Sequence, residues 1–260
     1  MDLKEVNEKL NTYIRPQQFP VAIKLCRSEA ELPERTRLPK RDLGYKIALC
    51  QSWSMARRYG WTVASGKEDQ VCPFGAVVMG FLPAKPGLLD GSFHEAGGLG
   101  SKERGAKSME GLARLEYGQY SHLLVAPLHA ATFKPDAIVI YAMPAQVGRL
   151  AQAALFYKGG TIPSVGTYGA ACNRLVAATI LTDECQIVVA GGGDRVMALT
   201  QDHEMAFTIP MSKLEQTIRG LEEGHRIGIA RYPTLSFLQF EPRFPEGYRK
   251  IMELLQKEGT

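Results

Sequence analysis

Two passages of this chain follow one order of elements, and that order limits the folds open to it. The first reads as a strand at 21–26, a helix at 45–58, a strand at 61–64, and then Cys72 opening a short apolar helix. The second reads as a strand at 137–142, a helix at 145–157, a strand at 161–165, and then Cys172 before an apolar helix at about 173–180. Gly60 in the first passage, and Gly159 with Gly160 in the second, stand where a helix C-terminal cap belongs. Short apolar runs that alternate with segments of helical period predict an α/β protein, with mixed α+β as the other arrangement left open. The expectation is two similar β-α-β-α units, at about 15–80 and 130–210, packed into one compact domain spanning 1–260. A pseudo-twofold relation between them would set Cys72 and Cys172 in equivalent places facing one another. The competing explanation is a chance likeness of two ordinary segments, since they share few residues. Cys50 has no counterpart, because the matching position falls near Ala151.

The rest of the chain frames these units. Residues 2–14 predict an amphipathic helix with Leu3, Val6, Leu10 and Tyr13 on one stripe. Residues 28–42 are polar and read as loop. Between the units, residues 82–118 carry eight glycines and two prolines. They predict a loop-rich insertion with a short helix near 106–115. A strand is expected at 120–128. Beyond the second unit come strands at 186–190, 196–200 and 205–209, with a glycine turn at 191–195. A helix at 212–222, an extended stretch at 235–240 and a C-terminal helical tail at 246–257 complete the reading.

Composition narrows the function classes. The net charge is +4, and no run of Lys or Arg exceeds two residues, which argues against nucleic acid and leaves room for a small anionic molecule. The first residues are charged rather than apolar, so no signal peptide is expected. No run approaches the 18 apolar residues of a membrane span. A cytoplasmic protein follows as the expectation, with its five cysteines reduced. The count is odd and no Cys-x-x-Cys occurs, so neither a disulfide framework nor a zinc ribbon is suggested. A homo-oligomer stays open.

Cys50, Cys72 and Cys172 form the leading constellation. Pro73 suits the first helical position, which makes Cys72 an N-cap, where the helix dipole favours thiolate. Three converging thiolates suit an iron–sulfur cluster, a [4Fe–4S] cubane with one iron open to substrate, and Cys185 or Cys26 as the fourth ligand. Thiol redox chemistry and plain burial of the cysteines are the alternatives. Gly192 and Gly193 would let backbone approach a ligand while Arg195 clamps its anionic end. The competing reading is a tight hairpin in which Asp194 pairs with Arg195. Arg57 shares the helix face of Cys50 and would offset thiolate charge, unless it is simply a solvated helix end. Residues 97–107 read as an anion nest with Lys102, Arg104 and Lys107, or as a surface loop or lid. The histidines show no metal-ligand spacing, and His203, between Asp202 and Glu204, reads as a surface turn.

Several stretches resemble a family of uncharacterised prokaryotic proteins catalogued as domain of unknown function 169. They are Pro20-Val-Ala-Ile-Lys, Cys50-Gln with Ala56-Arg57-Arg58, Cys72-Pro-x-Gly-Ala, Asp136-Ala-Ile-Val-Ile-Tyr, Pro144-Ala-Gln-Val, Gly192-Gly193-Asp194-Arg195 and Asp202-x-Glu204-Met-Ala-Phe. The resemblance implies a bacterial or archaeal cytosolic protein, often from anaerobes, and carries no reaction with it. The residues themselves lead to an iron–sulfur protein doing redox or Lewis-acid chemistry on a small anionic molecule, or exchanging electrons with a redox partner protein. The alternative is a non-catalytic small-ligand or partner-binding module with packed cysteines.

Overall fold

The computed structural model describes residues 1–166, 171–233 and 244–258, with 164–166 as backbone alone. The stretch expected to be extended at 235–240 lies outside the described residues. So do residues 167–170 on the approach to Cys172.

The chain folds as an α/β protein around one seven-stranded sheet in the order β2-β3-β1-β4-β7-β6-β5. The strands are β1 (Val21–Cys26), β2 (Val63–Gly66), β3 (His122–Pro127), β4 (Ala137–Ala142), β5 (Ser164–Gly166), β6 (Gln186–Val189) and β7 (Met205–Pro210). Every described pairing is antiparallel except β5 with β6, which is parallel. Strand β4 is buried at all six positions, as an unbroken apolar run requires when both faces of a sheet are covered.

Alternate residues divide the core in two. On the first face, Val21, Ile23, Val139 and Tyr141 pack with Leu49, Trp53 and Ala56 of α2 (Leu49–Tyr59). The same cluster takes in Ala76 and Val78 of α3 (Pro73–Val78), and Leu175 and Val176 of a π-helical turn (Asn173–Ala178) that runs on into α8 (Thr179–Thr182). On the second face, Ala22, Ile138, Ile140, Phe207 and Ile209 pack with α1 (Leu3–Tyr13), α7 (Pro144–Leu155) and α10 (Met211–Arg226). The two strand-helix-strand passages are both present, and β1 and β4 pair start to start, Val21 opposite Val139 and Ile23 opposite Ala137. The helix after β1 covers the first face and the helix after β4 covers the second. The likeness therefore lies in element order, and a twofold normal to the sheet does not superpose the helices.

Two expectations on this framework are corrected. Residues 82–118 hold three short helices, α4 (Pro86–Leu89), α5 (Ser92–Ala96) and α6 (Lys102–Met109), and the helix lies earlier than 106–115. Residues 191–200 form no hairpin: Gly192–Ala198 is a helix, α9, which replaces the strand expected at 196–200. The tail helix α11 (Glu246–Glu258) is present. Among the described residues no helix is long and apolar enough to cross a membrane.

Candidate functional site

The first face carries a cavity of about 670 Å³ whose lining includes Cys50, Cys72 and Cys172. Each thiol arrives on a different element. Cys50 sits in the first turn of α2, and its Sγ lies 3.9 Å from the Gly193 carbonyl oxygen, to which it donates. Cys72 is the N-cap of α3, where its Sγ accepts the Gly75 N–H at 3.5 Å. Gly75 has a steric reason: a Cβ there would stand 3.1 Å from the Leu49 Cβ, so glycine lets α3 settle against α2 and brings Cys72 toward Cys50. Cys172 is buried just ahead of the π-helical turn.

In the metal-free protein Cys50 and Cys172 are held toward their neutral thiols. Burial pushes the Cys50 thiol up to about 12, with Asp194 and Cys72 adding to the effect. Burial also raises Cys172, and the nearness of Cys72 and Cys50 raises it further. An anion on any one of these sulfurs would feel the others, because charge is poorly screened in an apolar cavity. Among the described residues no three His, Cys, Asp or Glu side chains group tightly enough to hold a single metal ion.

Asp194, on α9, belongs to the same wall. It is buried, and accepts hydrogen bonds from the Thr200 hydroxyl at 2.7 Å and the Tyr141 hydroxyl at 3.0 Å. Burial outweighs both bonds and moves its carboxyl above the usual carboxylate range. Behind it, the Arg57 guanidinium stacks 4.0 Å above the Tyr141 ring and pairs with Glu204 at 2.7 Å. Burial raises Glu204, but the Arg57 bond and the Gln201 N–H outweigh it, so that carboxyl stays ionised below its usual range. Two buried carboxyl groups, one bonded to the Tyr141 hydroxyl and one to the arginine over its ring, are thus shifted in opposite directions.

The insertion closes the cavity on the far side. Its helices α5 and α6 meet at Gly105, where a Cβ would come 2.7 Å from the His94 Cβ. That contact sets His94 into the wall, beside Phe74 at a ring separation of 5.2 Å. Of the stretch expected as a nest or lid, 97–107, Leu99 lines the cavity, with His94 and Ser108 contributing from just outside it.

The expected site residues separate cleanly. Cys50, Cys72, Cys172, Gly192 and Gly193 line the cavity. Cys185 does not: it packs in the second-face cluster across the sheet, where burial pushes its thiol to about 11. Its place as fourth ligand is corrected for that reason, and Cys26, in a small separate cluster, is no replacement. Arg195 points elsewhere and pairs with exposed Asp202 rather than Asp194. Arg57 is neither a solvated helix end nor a lining residue, being 1% exposed and joined to the cavity through Tyr141 and Asp194. The lining residues not anticipated include His94, Glu110, Asn173, Arg174 and Asp194. For two of them a signal existed, since Asn173 and Arg174 interrupt an apolar helix directly after a cysteine.

The chain is 26% identical over 233 residues to the uncharacterized protein MJ0308 of Methanocaldococcus jannaschii, a match covering 87% of this chain and 98% of that protein. No solved structure matches. A match over residues 9–220, which holds all five cysteines and every wall of the cavity named above, shows that the chain belongs to the DUF169 family, described as Uncharacterised ArCR.

Proposed function

We propose that the cavity holds an iron–sulfur cluster on Cys50, Cys72 and Cys172, and that the protein uses it for redox or Lewis-acid chemistry on a small anionic molecule in the cytoplasm. The observation that carries this reading is the meeting of three thiols from three separate segments in one apolar cavity. Beyond burial, Cys72 raises Cys50, and Cys72 and Cys50 raise Cys172; a cationic centre is the partner that would let all three ionise, since a coordinating thiol is deprotonated outright. Thiolates on one ion stand within about 4.6 Å of each other, twice the ~2.3 Å metal–sulfur bond. A cubane offers a different iron to each thiolate, so its ligands stand farther apart than those of a lone ion. Three cysteines leave one iron open, and the remaining cavity is the natural place for a substrate. The test is anaerobic purification followed by iron and sulfide analysis. A brown protein that loses iron on Cys72→Ser supports the reading.

A second reading, a small-ligand or partner-binding module with packed cysteines, draws on a specific observation. Burial, reinforced by neighbouring acidic groups, holds Cys50 and Cys172 as neutral thiols without any metal. A colourless protein free of iron would favour it. In that protein Cys50 should alkylate about a thousandfold more slowly at pH 8 in the folded than in the unfolded chain, three pKa units being a thousandfold in thiolate. The same slowness argues against a redox-sensing thiol at Cys50.

A further inference from the structure

The candidate cluster site leaves open what orients a ligand beside it, and the cavity wall supplies an answer. Buried polar groups nearly always find a hydrogen-bond partner, so orphans need a reason. Three lining residues each carry one: Asn173 Oδ1, His94 Nδ1 and Arg174 Nε. Asn173 is 2% exposed and His94 is 7% exposed. The Arg174 guanidinium has no ion pair or hydrogen bond with any described residue. The other arginines considered as anion clamps are committed elsewhere, Arg57 to Glu204 and Arg195 to Asp202. Arg174 follows Asn173 directly, and both follow Cys172, so the cation, the amide and a thiol enter one cavity from a single turn.

We propose that Arg174 is the anchor for the anionic end of the cavity's ligand, with Asn173 and His94 taking polar atoms next to that end. This rests on the cavity being the functional site and deepens that reading by assigning the residues that recognise the molecule. The buried orphan donor is Nε, and together with the neighbouring Nη it makes up the side edge of the guanidinium. That edge presents two parallel N–H donors, which match the two oxygens of a carboxylate or two oxygens of a phosphate. The amide beside it can accept from, or donate to, a substituent on the neighbouring carbon. Burial moves the Asp194 carboxyl toward its neutral form, and the other carboxyl group on the wall, Glu110, is exposed, so water and salt screen its opposition to an anion at Arg174. The ligand class is a small organic acid bearing a hydroxyl, amino or oxo group beside its anionic end.

The test uses the metal-free full-length chain, with lactate, pyruvate, glycine and inorganic phosphate as probes. Thermal shift and calorimetric titration are run on the wild type, Arg174→Gln, Arg174→Lys and Asn173→Ser. At least one probe should bind the wild type saturably and slow the alkylation of Cys72. Arg174→Gln should weaken it roughly ten- to a hundredfold, the loss of a charge-assisted pair, while Arg174→Lys retains part of the affinity. Tighter binding of the three organic probes assigns carboxylate, and tighter phosphate assigns a phosphorylated ligand. Binding by no probe, or equal binding by wild type and a folded Arg174→Gln, overturns the proposal. Circular dichroism separates misfolding from lost recognition, and Asn173→Ser gives an independent variant of the same wall. Probe binding to a protein that takes up no iron would leave this inference standing and remove the cluster. A brown protein indifferent to every probe would do the reverse.

Discussion

The two buried carboxyl groups flanking Tyr141 respond to pH with opposite sign. Glu204 is ionised through its pairing with Arg57, so its contribution to stability is present above its unfolded pKa and lost as pH falls through the lower folded value. Asp194 is raised, so its contribution is full below its unfolded pKa and declines as pH climbs through the higher folded value. Asp194→Asn removes the second dependence and keeps the shape. The stability of Asp194→Asn relative to wild type should therefore rise in urea unfolding as pH climbs above the usual carboxylate range, about 4, and parallel curves would refute the assignment. Arg57→Met tests the first group. It leaves buried Glu204 with only Arg58, 3.9 Å away, and should cost up to about 3–5 kcal/mol at neutral pH, the usual penalty for breaking a buried ion pair. Neither residue could be assigned from sequence. Arg57 looks like any basic helix end, and its partner lies 147 positions away.

Among elements, the α7–α10 contact makes the most decisive prediction. A Cβ at Gly220 would lie 2.1 Å from the Ala153 carbonyl oxygen, so glycine is what allows these helices to touch. Helix propensity alone favours Gly220→Ala by about 1 kcal/mol. The obstacle is backbone, which cannot rotate aside, so the helices must separate and the net change should be a loss of about 1–3 kcal/mol. An increase in melting temperature on Gly220→Ala would show that the close approach is wrong. Both helices are legible in sequence, because Val147, Leu150 and Ala153, and Leu214, Ile218 and Leu221, recur at helical spacing. Helix α9 is not legible. Three glycines followed by a β-branched residue favour turn and strand, and the tertiary structure overrides them. Ser54 Oγ donates to the Ala198 carbonyl at 2.7 Å and Arg58 Nη2 donates to the Leu199 carbonyl at 2.5 Å, so α2 satisfies the C-terminal carbonyls that so short a helix leaves open. Thr200 and Tyr141 hold its first turn through Asp194. Those partners lie 6 to 144 positions away, beyond the reach of any local pattern. The facing of Cys72 and Cys172 was anticipated from matching element order, in which Cys50 had no counterpart, yet the structure brings all three to one cavity by stacking α2, α3 and the π-helical turn on one face.

At the scale of the molecule, the sheet divides the cysteines by face. Cys50, Cys72 and Cys172 stand on the first side, with the cavity, and Cys185 is packed among apolar side chains on the second. Side chains on opposite faces of a sheet share no direct contact, so substitutions there should act independently. Cys185→Ser places a hydroxyl in the second core and should lower stability by about 1–3 kcal/mol, the range for a poorly compensated buried polar group. It should leave the iron and sulfide content of anaerobically purified protein unchanged. Cys172→Ser should do the reverse, giving a folded chain that takes up little or no iron, because the serine oxygen replaces a thiolate in the cavity itself. The double variant should show the sum of the two stability changes and the iron content of Cys172→Ser alone. Iron lost from a folded Cys185→Ser protein would contradict this partition, since it would require a metal ligand to reach the cavity through the sheet. Iron retained in full by Cys50→Ser, Cys72→Ser and Cys172→Ser alike would remove the cluster from this cavity while leaving the fold as described.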